Sequence, residues 1–339
     1  MAHQVTSGLG NAPIAFTPYG DLGFFLDLDP PTSDFKADVI AGLEAEHRSL
    51  SPKYLYDERG SALFDRITRL DAYYPTRTER LLVERQHSEI ASAIGSGRTV
   101  FEYGSGSSEK IKQLLGLMTE PRGYVAMDIS REHLLENASA LARDSNLSVG
   151  AICADFNTEI HIPETDLTRD ASWLGFFPGS TIGNFSQDAA VRFLNNAAST
   201  LGQDAKFLIG FDLQKSDPQI LHRAYDDPEG VTAAFNLNLL HRMVRDLGAE
   251  IEIDAFEHEV RIKEHPQRME MHLVARRDTT ISLDANAFHF SAGDSLHTEN
   301  SFKYTPEEID ALAAQTPWRR EAMWTDPAGL FAMCLFSDS

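Results

Sequence analysis

The sequence predicts an α/β protein, a doubly wound parallel sheet joined to a second α+β part. Three observations lead there. Between residues 78 and 213, short apolar runs of strand character alternate with amphipathic helical stretches. The residues able to do chemistry, Gly104, Asp128, Asp155, Phe156 and Asn184, fall just after those runs, where open parallel sheets meet their ligands. After Asp217-Pro218 the alternation stops and hairpin-like runs take over.

In chain order, residues 1–30 are rich in Gly, Pro and small polar side chains and are expected to form a loosely held arm. A helix is expected over 34–46, with Phe35, Val39, Ile40 and Leu43 on one face. Residues 51–60 are turn-rich and carry Tyr54 and Tyr56, and a helix over 61–70 buries Leu63, Phe64 and Ile67. Pro75 argues against a helix through 71–77, and Thr78 can cap the next one, over 78–94. A strand over 99–103 then runs into the turn Gly104-Ser105-Gly106. The helix after it is capped by Ser107 or Ser108 and buries Ile111, Leu114, Leu115 and Met118.

Further strands are expected over 124–127 (ending at Asp128), 149–153 (ending at Asp155-Phe156), 173–177 (ending in Pro178 to Asn184) and 206–213, with helices between them. Beyond 217 the pattern predicts a helix over 233–247 and strands over 251–262 and 268–276 about the turn His265-Pro266-Gln267. Shorter strands are expected near Ile281, Phe288 and Leu296. Thr305-Pro306-Glu307-Glu308 is a capping box opening a helix, and a hairpin of 319–324 and 330–336 closes the chain. The expected division is 78–213 plus 304–338 for one domain and 20–77 plus 214–303 for the other. The closing hairpin, and not the strands of 251–276, is expected to complete the parallel sheet.

The charge of −21, from 51 acidic and 30 basic residues, argues against nucleic acid or an anionic membrane as partner. Cys153 and Cys334 lie in apolar runs and read as two buried free thiols, so a cytoplasmic setting is expected. His258, His265 and His272 lack ligand-like spacing, and no metal site is expected. A small-molecule substrate and a monomer are the expected working form.

The glycine turn is ambiguous alone. A dinucleotide fingerprint needs a third glycine where this chain has Glu109, and Glu102 sits badly beside a pyrophosphate. Glu102 suits a ligand carrying positive charge. Asp128 suits a ribose diol, and Asp155-Phe156 an adenine. Together these describe S-adenosylmethionine in a class I methyltransferase, with Lys110 in reach of the methionine carboxylate.

Eight blocks carry a more specific resemblance. They are Ser-Pro-Lys-Tyr-Leu-Tyr-Asp (51–57), Tyr-Tyr-Pro-Thr-Arg-Thr-Glu (73–79), Glu-x-Gly-Ser-Gly-x-Ser-Glu-Lys (102–110), Gly-Ser-Thr-Ile-Gly-Asn (179–184), Ala-Tyr-Asp-Asp-x-x-Gly-Val-Thr-Ala-Ala-Phe-Asn (224–236), Arg-Met-Glu-Met (268–271), Glu299-x-Ser301 and Trp-Thr-Asp-Pro (324–327). In this order, from about residue 35 onward, the chain resembles the histidine Nα-methyltransferases of ergothioneine biosynthesis. These are class I, Rossmann-like enzymes that convert histidine to hercynine by three methyl transfers. The resemblance implies that Gly104, Lys110, Asp128, Asp155 and Phe156 hold S-adenosylmethionine, and that Tyr56, Glu299 and Ser301 hold the imidazole. It further implies that Asn184 and Tyr73 orient the α-amino group, that Tyr225 and Thr232 lie near the carboxylate, that Phe64 and Met271 form apolar walls, and that Gly179 belongs to the substrate side. Tyr73 and Tyr56 are the implied proton relays. The alternatives are an Nα-methyltransferase of another aromatic amino acid such as tryptophan, disfavoured by Glu299 and Met271, and a non-catalytic binding module.

Overall fold

The computed structural model describes residues 3–6, 13–28, 35–106, 108–156 and 158–338. Its strands are β1 (His3–Thr6), β2 (Pro13–Tyr19), β3 (Leu22–Asp27), β4 (Thr99–Tyr103), β5 (Gly123–Asp128), β6 (Ser148–Cys153), β7 (Trp173–Phe177), β8 (Lys206–Asp212), β9 (Phe256–Glu264), β10 (Gln267–Ala275), β11 (Thr279–Leu283), β12 (Asn286–Phe290), β13 (Ser295–Phe302), β14 (Trp318–Thr325) and β15 (Phe331–Asp338). Its helices are α1 (Phe35–Glu44), α2 (Glu58–Ile67), α3 (Tyr74–Arg85), α4 (His87–Ile94), α5 (Ser108–Leu117), α6 (Arg131–Asp144), α7 (Gln187–Leu201), α8 (Pro218–Tyr225), α9 (Val231–Leu247) and α10 (Pro306–Ala313).

Ten strands form one sheet in the order β1-β2-β3-β6-β5-β4-β7-β8-β15-β14. From β3 to β8 the pairing is parallel; β15 runs antiparallel to β8, and β14 antiparallel to β15. Each of β4 and β7 is buried along its whole length, as parallel strands covered on both faces must be. One face packs Ile90, Ile111, Leu134 and neighbours from α3 to α6; the other packs Phe193, Leu194 and Ile309 from α7 and α10. Strand order reverses at β4. Chain continues outward to β5 and β6 on one side and to β7 and β8 on the other, which opens a crevice at the carboxyl ends of β4 and β7.

A second core gathers α1, α2, α8 and α9 against a three-stranded antiparallel sheet, β13-β10-β9, and the hairpin β11-β12. Leu55, Leu239, Leu273 and Leu296 are among its fully buried side chains. The two regions meet where the turn Thr181–Asn184 lies against β13: a Cβ on Gly183 would stand 2.8 Å from the carbonyl of Phe302.

Several expectations need correction. Residues 22–27 are not part of an arm or of the 20–77 substrate part. They form β3, paired in parallel with β6, and Phe24 is fully buried over Gly150, where a Cβ would come within 2.2 Å of its ring. The apolar run Leu22-Gly-Phe-Phe-Leu was masked by its Gly/Pro-rich surroundings. The single helix expected over 78–94 is two, α3 and α4, broken at Gln86. Helix α3 starts at Tyr74, because a proline in the first turn forfeits no helical hydrogen bond. Helix α2 starts earlier than expected, capped by Asp57 accepting from Gly60 N–H. The capping box at Thr305 and Glu308 is present. Asp34 and Ser107 lie outside the described residues.

If β3 is integral to the sheet, Phe24→Ala lowers unfolding free energy by about 3–5 kcal/mol, as for other buried aromatics. Urea unfolding measures this, and a loss below about 1 kcal/mol would place the strand outside the cooperative core.

Candidate functional site

The first half of the site is built at the crevice. The N–H groups of Gly104 and Ser105 both donate to the carbonyl of Met127 (2.9 and 3.0 Å), which ties the glycine turn to β5. Gly104 has φ +75°, and a Cβ there would approach the Phe156 ring at 4.0 Å, so the turn and the end of β6 leave a slot between them. Phe156 is held edge-on against Phe177 and Phe193, at 6.0 and 5.8 Å between ring centres. Asp128 closes β5, half-buried. It accepts the N–H of Ser130 at 2.8 Å, and burial pushes its carboxyl above the usual range. Asp155 is half-buried beside Phe156.

Lys110, on the first turns of α5, pairs with Glu79 of α3 at 2.7 Å. The other oxygen of Glu79 accepts the N–H of Gly179, also at 2.7 Å. Gly179 has φ +77°, and a Cβ on it would stand 2.8 Å from the Lys110 ammonium. Gly179 therefore lies against the residue expected to hold the cofactor's carboxylate. Glu102, expected to face a positive ligand, is instead buried and accepts the Tyr124 hydroxyl at 2.5 Å; burial pushes it up to about 8, partly offset by Tyr124 and Lys110. A cavity of about 410 Å³ lies between α3 and α5 over Phe176, Leu208 and Met333. It meets this half at Glu79 and Lys110 and excludes the second half.

The second half stands on β13. Residues two apart on a strand share a face, so Glu299 and Ser301 point the same way. Met271 of β10 is the register partner of Glu299, and a bulge follows between Met271 and His272. Asn184 reaches across from the turn after β7 and donates to Glu299 Oε1 at 3.1 Å. Burial pushes Glu299 up to about 7, against the opposing pull of Lys303 and Asn184. The hydroxyls of Tyr225 and Ser301 are 2.7 Å apart. An aromatic wall continues from there: Tyr225 to Tyr73 at 6.1 Å, Tyr73 to Phe64 at 6.3 Å and Phe64 to Tyr56 at 5.4 Å between ring centres. Burial first drives the hydroxyls of Tyr73 and Tyr225 well above their ordinary range, so both remain phenols at neutral pH; Tyr56 is 38% exposed, and its phenol is neutral there without any help from burial.

Of the residues singled out in the sequence, Glu299, Ser301, Asn184, Met271, Tyr225, Tyr73, Phe64 and Tyr56 thus form one connected group. Gly104, Lys110, Asp128, Asp155 and Phe156 cluster at the crevice. Thr232 lies in the first turn of α9, where Asp227 accepts the N–H groups of Val231 and Thr232 at 3.0 and 2.7 Å. The sequence reading gave no site role to Glu79, Asp212, Lys215, Lys303, Asn236 or His258. His258 donates from Nε2 to the Tyr225 carbonyl (2.9 Å) and accepts from Asn236 at Nδ1 (2.9 Å), fixing Tyr225 from behind. One signal was available for Lys303: Glu299, Ser301 and Lys303 keep the two-residue period of a single strand face.

A slot beside a positive-φ glycine, a half-buried acid closing the second strand of the alternation and an aromatic ring closing the third fit an adenosyl ligand; a lysine at the same crevice fits its carboxylate. Comparisons with known proteins agree. The profile of the family described as "Histidine-specific methyltransferase, SAM-dependent" matches residues 35–338. The chain is 38% identical over 323 residues to the histidine N-alpha-methyltransferase of Mycolicibacterium smegmatis, covering 93% of this chain and 98% of that one. It is 39% identical over 307 residues to the protein of the same name from Mycobacterium tuberculosis, covering 88% and 94%. To ergothioneine biosynthesis protein 1 of Neurospora crassa it is 30% identical over 287 residues, covering 82% of this chain but 32% of that longer protein. Family profile, relatives and site geometry converge: the chain belongs to the histidine-specific, S-adenosylmethionine-dependent methyltransferases.

Proposed function

We propose that this protein methylates the α-amino nitrogen of L-histidine three times to give hercynine, opening ergothioneine biosynthesis. One observation carries the substrate: a buried carboxyl, Glu299, and a buried hydroxyl, Ser301, stand two residues apart on one strand face, walled by Met271 and Phe64. That pair matches the two nitrogens of an imidazole, one bearing a proton and one bare. An indole offers a single N–H and would leave a buried polar group unmatched, which sites of this kind reject strongly.

When bound, S-adenosylmethionine supplies a methyl group on a sulfonium, and the N–C bond forms as the C–S bond breaks. The protein's share is alignment. In this reading Gly104, Asp128, Asp155 and Phe156 seat the adenosyl end and Lys110 the carboxylate. Glu299 and Ser301 fix the far end of histidine, and Asn184 and Tyr73 aim the amine along the line of transfer. Holding two reactants in register provides a large part of such a rate. The amine must be neutral before each transfer, so a proton leaves the nitrogen each time. Tyr56 and Tyr73, which stay phenolic, pass protons as donor and acceptor at once and do not act as phenolate bases. The charge of −21 and the two buried free thiols support a cytoplasmic, monomeric enzyme acting on free small molecules.

Mass spectrometry of the purified protein with S-adenosylmethionine and each amino acid in turn tests the reading. A product with three added methyl groups is expected from histidine; turnover of tryptophan and not of histidine would replace it by the aromatic alternative. Asp128→Asn keeps the Ser130 contact but removes the charge, and is expected to weaken S-adenosylhomocysteine binding about 10-fold in calorimetry while leaving histidine affinity within about 2-fold. Ionised Glu299 accepts the ring N–H more strongly than the protonated acid does, and its proton is lost near pH 7 in the free protein. Histidine affinity therefore rises as pH climbs through about 7. Subtracting the profile of Glu299→Gln removes the titration of histidine itself and leaves that rise.

A further inference from the structure

Beneath the Ser301 hydroxyl lies a buried ammonium that the reaction as described does not use. Lys303 is 1% exposed and directs its Nζ to three oxygens: Asp212 Oδ2 at 2.6 Å, Tyr225 Oη at 2.8 Å and Ser301 Oγ at 2.7 Å. An ammonium has three protons and no lone pair, so all three are committed and both hydroxyls must accept. On the far side of the Asp212 carboxylate are Lys215, at 2.7 Å, and the Tyr74 hydroxyl, at 2.8 Å. These groups come from β8, the loop after it, α3, α8 and β13, and Glu299 is the nearest further charge on β13.

Proton bookkeeping then fixes a direction. The two hydroxyls carry two protons between them, and at 2.7 Å one proton lies on the line joining them. The phenol is the more acidic donor and the serine oxygen the better acceptor of two hydrogen bonds, so Tyr225 donates to Ser301. With that assignment the Ser301 proton is left over and free to be donated to a ligand. One strand step of two residues away, about 7 Å along the chain, Glu299 presents the opposite polarity.

Resting on the histidine reading above, we propose that Lys303 is a positioning residue. By filling the acceptor capacity of the Tyr225–Ser301 pair, it makes Ser301 an obligate donor to the bare ring nitrogen of a neutral imidazole. An imidazolium would set an N–H against the Ser301 proton and add positive charge beside Lys303. Glu299 and Ser301 then read one tautomer of the ring in one orientation, which aims the amine in the same direction at each of the three transfers.

A double-mutant cycle tests this by calorimetry of L-histidine binding to the full chain saturated with S-adenosylhomocysteine. Lys303→Met and Ser301→Ala are each expected to weaken histidine about 10- to 100-fold, and the double variant no more than the worse single, because both remove one hydrogen bond. S-Adenosylhomocysteine affinity stays within about 2-fold in all variants, and in turnover the histidine KM rises while the KM for S-adenosylmethionine does not. Losses that multiply in the double variant, or a matching loss of S-adenosylhomocysteine affinity in Lys303→Met, would overturn the inference. Should Lys303→Met fail to fold, the same cycle with Lys303→Gln, which keeps two donors, is expected to weaken histidine less than Ser301→Ala does and to add nothing to it in the double variant; losses that multiply refute the role. A wild-type chain that does not bind histidine would instead overturn the parent reading, and this inference with it.

Discussion

The Asp212 carboxylate is the point on which the two halves of this molecule depend. It sits at the end of β8, 1% exposed, and every partner comes from a different place in the chain. Lys215 and the Tyr74 hydroxyl hold it, Lys303 pairs with it from the end of β13, and its own N–H donates to Ser180 at 2.9 Å in the turn after β7. Burial alone would drive such a carboxyl to neutrality. Lys303 and Lys215 more than offset that and hold it below its ordinary range. Two ammonium groups around one carboxylate leave local positive charge, which Glu299 answers further along β13. Removing a partner from a group this deeply buried is far costlier than losing a surface ion pair. The junction thus joins the parallel sheet to the second core through matched charge, where a purely apolar interface would leave orientation looser.

Much of the parallel sheet was legible because its physics is local. Strands buried on both faces write themselves as continuous apolar runs, and the helices between them keep their period. The residues at strand ends, Asp128, Asp155 and Phe156, could be placed for the same reason. The closing hairpin lies beside β8, as its position after a capped helix suggested. What escaped was set by partners far away in sequence. Strand β3 is short and lies in a Gly/Pro-rich stretch, and only its pairing with β6 and the space over Gly150 make it a strand. Asp212 reads as an ordinary acid ending an apolar run, and Lys303 as an ordinary surface lysine after a strand, until the fold brings these positions, 91 apart in number, to 2.6 Å.

The substrate half of the site shows how a strand can be read as chemistry. Alternation puts Glu299, Ser301 and Lys303 on one face, so a carboxyl, a hydroxyl and an ammonium follow each other in a line. Met271 of the neighbouring strand stands opposite Glu299, and the pairing shifts register immediately after it. Around this line the buried phenols of Tyr73 and Tyr225, and the more exposed phenol of Tyr56, all stay protonated at neutral pH, which makes the wall a source of hydrogen bonds and not of charge.

Glu79 has the widest consequence of any residue outside the two ligand halves. One of its oxygens holds Lys110, the other the backbone of Gly179, and the chain from Gly179 runs through a single turn to Asn184 and so to Glu299. The turn after β7 is thereby tied at one end to the ion pair of Lys110 and Glu79 and at the other to Glu299, so a single short segment takes its placement from both regions of the molecule.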